Sequence, residues 1–161
     1  MKAQIRLAAC AIAFAGLATA AQAATEYVTI PLETTINAPA DKAWAKIKGY
    51  CLIGPWFKTT CVITSGADGE MGAVRRIADR VDEVLVASTA WSYSYAQPKS
   101  PIDYHGTVEI RPNGKTSTLH YTLVYDAAAL PAGADKAADK ARRTAQFTAL
   151  VATMKAAAEA K

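Results

Sequence analysis

The sequence predicts an α+β fold in which a strongly curved antiparallel sheet packs round one long C-terminal helix. Three observations predict it. The order of elements is strand, two short helices, about six strands, then a helix of some 25 residues. The strands follow one another through tight turns, which makes their sheet antiparallel. And the stretch from Tyr104 to Tyr125 can be folded on paper about Asn113-Gly114, a two-residue turn of the type I′ kind. Alternation with period two then puts Tyr104, Gly106, Val108, Ile110, Leu119, Tyr121, Leu123 and Tyr125 on one face. His105, Thr107, Glu109, Arg111, Thr118, His120, Thr122 and Val124 fall on the other. The first face is buried and carries three tyrosines. Both histidines of the chain lie on the wet face.

The elements follow in order. Tyr27 to Ile36 is rich in Thr, Val and Ile and reads as a strand, with Pro31 indicating an edge or a bulge. Asn37-Ala38-Pro39-Ala40-Asp41 stops it and starts a helix, because proline suits a first turn and Asp41 suits the positive helix end. That helix runs from Ala40 to Lys48 with Ala40, Ala43, Trp44 and Ile47 on its apolar side. Gly54-Pro55 breaks a second short segment, a helical turn leading into Trp56 and Phe57. Cys61 to Thr64, Gly72 to Ala78, and Val81 to Ser88 are strands. Trp91, Tyr93 and Tyr95 alternate with Ser92 and Ser94 in the next one. Gln97-Pro98-Lys99-Ser100-Pro101 is a loop before the hairpin, and Leu130-Pro131-Ala132-Gly133 closes the sheet region. Asp135 to about Ala160 is a long alanine-rich helix. Lys140, Arg143, Phe147, Leu150, Val151, Met154 and Ala158 share one of its sides. Lys136, Lys140, Arg142 and Arg143 crowd its first half. They could face an anionic headgroup or be a solvated face with Asp139 and Arg143 paired at i,i+4.

Met1 to Ala23 reads as a secretory signal peptide: Lys2 and Arg6, an apolar stretch from Leu7 to Leu17, and the small-residue site Ala21-Gln22-Ala23. The run is too short for a membrane span. The mature chain, 24–161, is then one domain, exported and expected in the periplasm, with no stable membrane insertion after cleavage. Losing Lys2 and Arg6 lowers the formal charge from +4 to +2. So slight a charge, with no basic stripe interleaved with aromatics, argues against nucleic acid. Cys51 and Cys61 remain, in a compartment that permits disulfides. They are either bridged across the intervening nine residues or two separate buried thiols. No CxxC, HExxH, glycine-rich phosphate loop or Ser-His-Asp set is evident, and no metal or other cofactor is expected.

Four segments carry a family resemblance. Ile36-Asn37-Ala38-Pro39-Ala40-Asp41-Lys42-Ala43-Trp44 is similar to the strand-to-helix signature of the START-like superfamily, also called the SRPBCC or Bet v-type fold. Gly72-Ala73-Val74-Arg75-Arg76-Ile77 resembles its glycine-led third strand. Arg80-Val81-Asp82-Glu83-Val84 and Trp91-Ser92-Tyr93-Ser94-Tyr95 resemble the strands after it. More narrowly, the chain resembles the bacterial polyketide cyclase/dehydrase-like group. The resemblance implies a helix-grip fold: seven strands round the C-terminal helix, two short helices closing one end, and an internal cavity. It also implies that Arg75, Ile77, Trp91, Tyr93 and Tyr95 point inward.

The expected ligand-binding residues are Trp56, Arg75, Ile77, Trp91, Tyr93, Tyr95, Tyr104, Tyr121, Tyr125 and Phe147, with Trp56 and Phe57 at the mouth. An apolar, aromatic lining with sparse hydroxyls is the usual make-up of a small-molecule pocket. Arg75 needs a partner there, because an isolated buried charge is costly. That partner is a ligand anion or an acid of the protein, or else the side chain reaches the rim of the cavity. The expected function is binding of a hydrophobic or aromatic small molecule or lipid. A non-catalytic accessory protein with a protein partner, and a small cyclase or dehydrase using Arg75 and a tyrosine, are the alternatives; no catalytic residue is assigned.

Overall fold

A computed structural model describes residues 24–161; the signal-peptide reading of Met1 to Ala23 lies outside them. Seven strands form a single antiparallel sheet: β1 (Tyr27–Ile36), β2 (Cys61–Ser65), β3 (Val74–Ile77), β4 (Val81–Ser88), β5 (Ser92–Ala96), β6 (His105–Asn113) and β7 (Thr116–Asp126). Their order across the sheet is β1-β7-β6-β5-β4-β3-β2. Consecutive strands from β2 to β7 are neighbours, and β1 closes on β7. This is the helix-grip arrangement expected. Helices α1 (Ala40–Ile47) and α2 (Ile53–Phe57) lie between β1 and β2, and α3 (Lys136–Glu159) packs against the sheet. Pro31, which cannot donate to a ladder, sits in β1 at the sheet's edge.

The core forms where the periodicities place apolar residues. Ala40, Ala43, Trp44 and Ile47 of α1 are buried, as are Phe147, Leu150, Val151, Met154 and Ala158 of α3. Asp135 caps α3, its carboxylate accepting from the Ala138 amide at 3.0 Å. Lys155 Nζ donates to the Thr35 carbonyl at 2.6 Å and ties the helix to β1. Lys140, grouped with the apolar side by spacing, is exposed. The shared side starts at the half-buried Arg143.

The β6–β7 hairpin keeps the predicted faces but not the predicted turn. Asn113 pairs with Thr116, so the turn residues are Gly114-Lys115. Gly114 alone takes a left-handed φ, +63°, which is the requirement of a type II′ rather than a type I′ turn. Moving the turn by one residue shifts the pairing by two, and an even shift leaves every side chain on its original face. Elsewhere β3 begins at Val74, since Gly72 at φ +86° interrupts the extended chain. Trp91 precedes β5 instead of starting it. Gly54-Pro55 lies inside α2, with Pro55 early enough in the helix to lack no needed donor.

Cys51 and Cys61 are bonded, their Cα atoms 5.4 Å apart. The bridge fastens the 3-10 turn Tyr50–Leu52 to the first residue of β2. Gly54 makes room for it: a Cβ there would stand 2.9 Å from Cys61 Cβ. Replacing both cysteines by serine should lower unfolding free energy by about 2–3 kcal/mol, the loop-entropy value for a closure of this length. Urea denaturation of the oxidised protein and the double variant measures it, and equal midpoints would contradict it.

Candidate functional site

A cavity of about 650 Å³ lies between the sheet and α3. Its position follows from the strand periodicity. Arg75 and Ile77 of β3, Glu83 of β4, Tyr95 of β5 and Tyr121 of β7 all border it. Tyr104 enters from just before β6. Phe147 of α3 and Ile53 and Phe57 of α2 supply the opposite wall, with Phe57 and Phe147 edge-on at 5.5 Å between ring centres. The cavity reaches the surface where exposed Arg80, Pro101, Pro131 and Gln146 border it.

Its charged centre is a cross-strand pair. Arg75 and Glu83 stand directly opposite on β3 and β4, so their side chains share a face. Arg75 is 0 % exposed and Glu83 3 %. Arg75 Nε donates to Glu83 Oε2 at 2.7 Å, and Nη1 donates to the Tyr50 carbonyl. The guanidinium carbon lies 4.0 Å from the Tyr50 ring centre and 4.9 Å from that of Tyr95. Burial works against the charged guanidinium. It is the largest single influence, but the Glu83 carboxylate together with Tyr93, Tyr95 and Tyr121 outweighs it and holds the Arg75 pKa above its ordinary value. Gln97, just past β5, donates from Nε2 to Glu83 Oε1 at 2.8 Å. Of the partners left open by the sequence, Arg75 has an acid of the protein.

Tyrosines surround this pair. The Tyr95 and Tyr121 hydroxyls are 2.8 Å apart. The Tyr95 and Tyr104 rings lie 6.3 Å apart, and Tyr121 meets Phe147 at 5.3 Å. Burial pushes the phenols of Tyr95, Tyr121 and Tyr104 well up. They are therefore neutral hydrogen-bonding groups at any physiological pH. Tyr95 can lie flat against β6 because its cross-strand partner is Gly106, which has no side chain to meet it.

Six of the ten expected ligand contacts therefore line this cavity: Arg75, Ile77, Tyr95, Tyr104, Tyr121 and Phe147. Four do not. Tyr93 points inward but lines a separate cleft of about 450 Å³ with Trp44 and Leu85, its ring edge-on to Tyr50 at 5.6 Å. Tyr125 is buried beneath Arg143, whose guanidinium sits 4.7 Å from its ring. Trp56 and Trp91 pack half-buried against the core. Of the two residues expected at the mouth, Phe57 borders the cavity, in the wall beside Phe147, and Trp56 does not.

Glu83 and Gln97 escaped the sequence reading, although a signal existed. Folding β3 against β4 about Ala78-Asp79-Arg80 sets Arg75 opposite Glu83 and Arg76 opposite Asp82, two complementary charge pairs in adjacent registers. The outer pair is also formed, Arg76 Nε to Asp82 Oδ1 at 2.6 Å. In the basic first half of α3 the two arginines pair within the helix, and Lys136 pairs with Glu26 before β1. Arg142 and Arg143 both donate to Asp139. Burial would raise the Asp139 pKa, but these two bonds outweigh it and hold the carboxyl below its ordinary value. His105 and His120 face away from the core, beside Asp103 and Glu33. Among the described residues no three His, Cys, Asp or Glu side chains are placed to hold a metal ion, and no helix is long and apolar enough to cross a membrane.

Residues 27–159 match the family described as polyketide cyclase/dehydrase and lipid transport. No curated protein matches the chain by sequence. Solved structures with the same fold include a protein from Nitrosospira multiformis, 17 % identical over 80 % of this chain and 94 % of that one, with a TM-score of 0.65. The di-domain ARO/CYC protein BexL of the BE-7585A biosynthetic pathway is 22 % identical, over 84 % of this chain and 51 % of its own, at 0.60. Truncated norcoclaurine synthase from Thalictrum flavum is 14 % identical over 83 % and 94 %, also at 0.60.

Proposed function

The chain belongs to the polyketide cyclase/dehydrase and lipid transport family, within the START-like superfamily, and from that membership we propose that it is a binding protein enclosing a hydrophobic or aromatic small molecule, or the apolar part of a lipid. The cavity carries this reading. Its volume, about 650 Å³, suits a small molecule, and its wall is aromatic and aliphatic with a few fixed polar groups. Binding fits those polar groups better than turnover does. Proton transfer near neutral pH is fastest from a group whose pKa lies near 7. The cavity tyrosines are displaced the other way, and Glu83 is committed to Arg75 and Gln97.

The mature protein, residues 24–161 as one domain, acts outside the cytoplasm in this reading, in a periplasmic compartment. The signal-like pattern from Met1 to Ala23 supports that placement, and so does the Cys51–Cys61 bridge, a feature of oxidising surroundings.

Filling the cavity tests the reading. Ile77 borders it and is only half-buried, so a larger side chain there projects into the space at little cost to the core. Ile77→Trp should weaken binding of the apolar dye Nile red by roughly tenfold or more, about 1.4 kcal/mol, with the thermal midpoint nearly unchanged. Undiminished dye binding in a folded variant would place the ligand elsewhere.

A further inference from the structure

We infer that Gln97 is a specificity residue that presents a hydrogen-bond acceptor to the cavity, so that the site selects an uncharged ligand carrying a hydroxyl or N–H donor over a carboxylate. The inference rests on the cavity being the binding site and names the chemistry it takes.

The polarity of Gln97 is fixed from behind. A carboxylate paired with a guanidinium offers only lone pairs. The Gln97 side chain, whose Nε2 lies 2.8 Å from Glu83 Oε1, must therefore turn its amide N–H toward Glu83. Its carbonyl Oε1 is then directed away from Glu83. Gln97 borders the cavity, and among the described residues nothing donates to that oxygen. Gln97 is only partly buried and its Oε1 is not one of the buried polar atoms left without a partner, so solvent reaches it. A ligand that displaces that water must bring a donor or leave the acceptor unpaired, which is costly.

The same arrangement works against an anion. Among the described residues, Arg75 supplies the cation at the inner end of the cavity, but the Glu83 carboxylate already neutralises it and three of its five N–H groups are engaged by Glu83 and the Tyr50 carbonyl. Arg143, nearer the mouth, is held by Asp139 at 2.6 Å. Arg80 is exposed at the rim and reaches solvent. A carboxylate pushed to the inner end would lose its hydration and meet Glu83 and Gln97 Oε1, both acceptors. A phenol or alcohol would meet Gln97 Oε1 with its proton and could accept from Tyr95, Tyr104 or Tyr121, which burial keeps protonated.

Three probes of one ring system isolate the choice: naphthalene, 1-naphthol and 1-naphthoate, each displacing Nile red from the mature protein at pH 7. The expected order is naphthol, then naphthalene, then naphthoate, with at least a tenfold gap between the first and the last. Gln97→Leu should weaken naphthol roughly threefold to tenfold, the worth of one net hydrogen bond, and leave naphthalene unchanged. Naphthoate binding as tightly as naphthol, or Gln97→Leu preserving naphthol's advantage over naphthalene, overturns the inference while leaving the cavity as the site. Failure of Nile red and all three probes to bind overturns the cavity reading itself, and the inference with it.

Discussion

Glu83→Ala should cost about 3–5 kcal/mol of unfolding free energy, the range for removing one partner of a buried ion pair. The size follows from what is left behind. Arg75 is wholly buried, and a guanidinium cannot shed its charge in a protein. Without Glu83 it keeps one carbonyl, that of Tyr50, and two ring faces, none of which carries a full negative charge. The converse change should be milder. Arg75→Met leaves a carboxyl that can take up a proton and keep its bond from Gln97. The double variant Arg75→Met/Glu83→Leu should recover most of the loss, because well-packed apolar side chains often replace a buried pair at no net cost. Urea denaturation of the three variants gives the order directly. A loss under about 1 kcal/mol for Glu83→Ala would fall in the range of exposed pairs and show that water reaches the guanidinium.

Gly106→Ala should be the most damaging single methyl in the sheet, on the order of 3 kcal/mol. A Cβ on residue 106 would lie well within 3.0 Å of three Tyr95 side-chain atoms, the ring carbons Cζ and Cε1 and the hydroxyl Oη. The clash cannot be relieved at a flexible tip, since it strikes the ring itself. Overpacking of this kind costs roughly 1–3 kcal/mol, and displacing Tyr95 also breaks its buried hydroxyl bond to Tyr121, worth about 1 kcal/mol more. The second substitution Tyr95→Leu removes the obstruction. The pair should therefore couple: Gly106→Ala should cost much less in a Tyr95→Leu background than alone. Additive losses would mean that the ring does not rest on Gly106.

Much of the fold was legible because period-two and helical patterns are local. The β1 and β4 boundaries, the apolar faces of α1 and α3, and the inward set Tyr104, Val108, Tyr121 and Leu123 could be read from spacing alone. The hairpin turn was misplaced by one residue because Asn-Gly is a strong turn signal, and parity hid the error from the face assignment. The site was less legible, for a physical reason. Pointing inward is a property of one strand, but lining a particular cavity depends on how helices divide the interior. Tyr93 and Tyr125 face the core as Tyr95 and Tyr121 do, yet Tyr93 borders a different cleft beside Tyr50 and Tyr125 packs under Arg143. Trp56 and Trp91 lie in short or irregular segments where no period fixes direction. Arg75 had an unnamed partner until the β3–β4 register was known.

The central claim is that the space beneath α3 holds a ligand. Native mass spectrometry of the protein, isolated gently from its own cells and compared with a denatured sample, tests it most directly. The expected result is a population heavier than the polypeptide by the mass of a small apolar molecule, released on denaturation and absent from Ile77→Trp. A bare polypeptide mass in every preparation, together with no uptake of Nile red, would contradict the account.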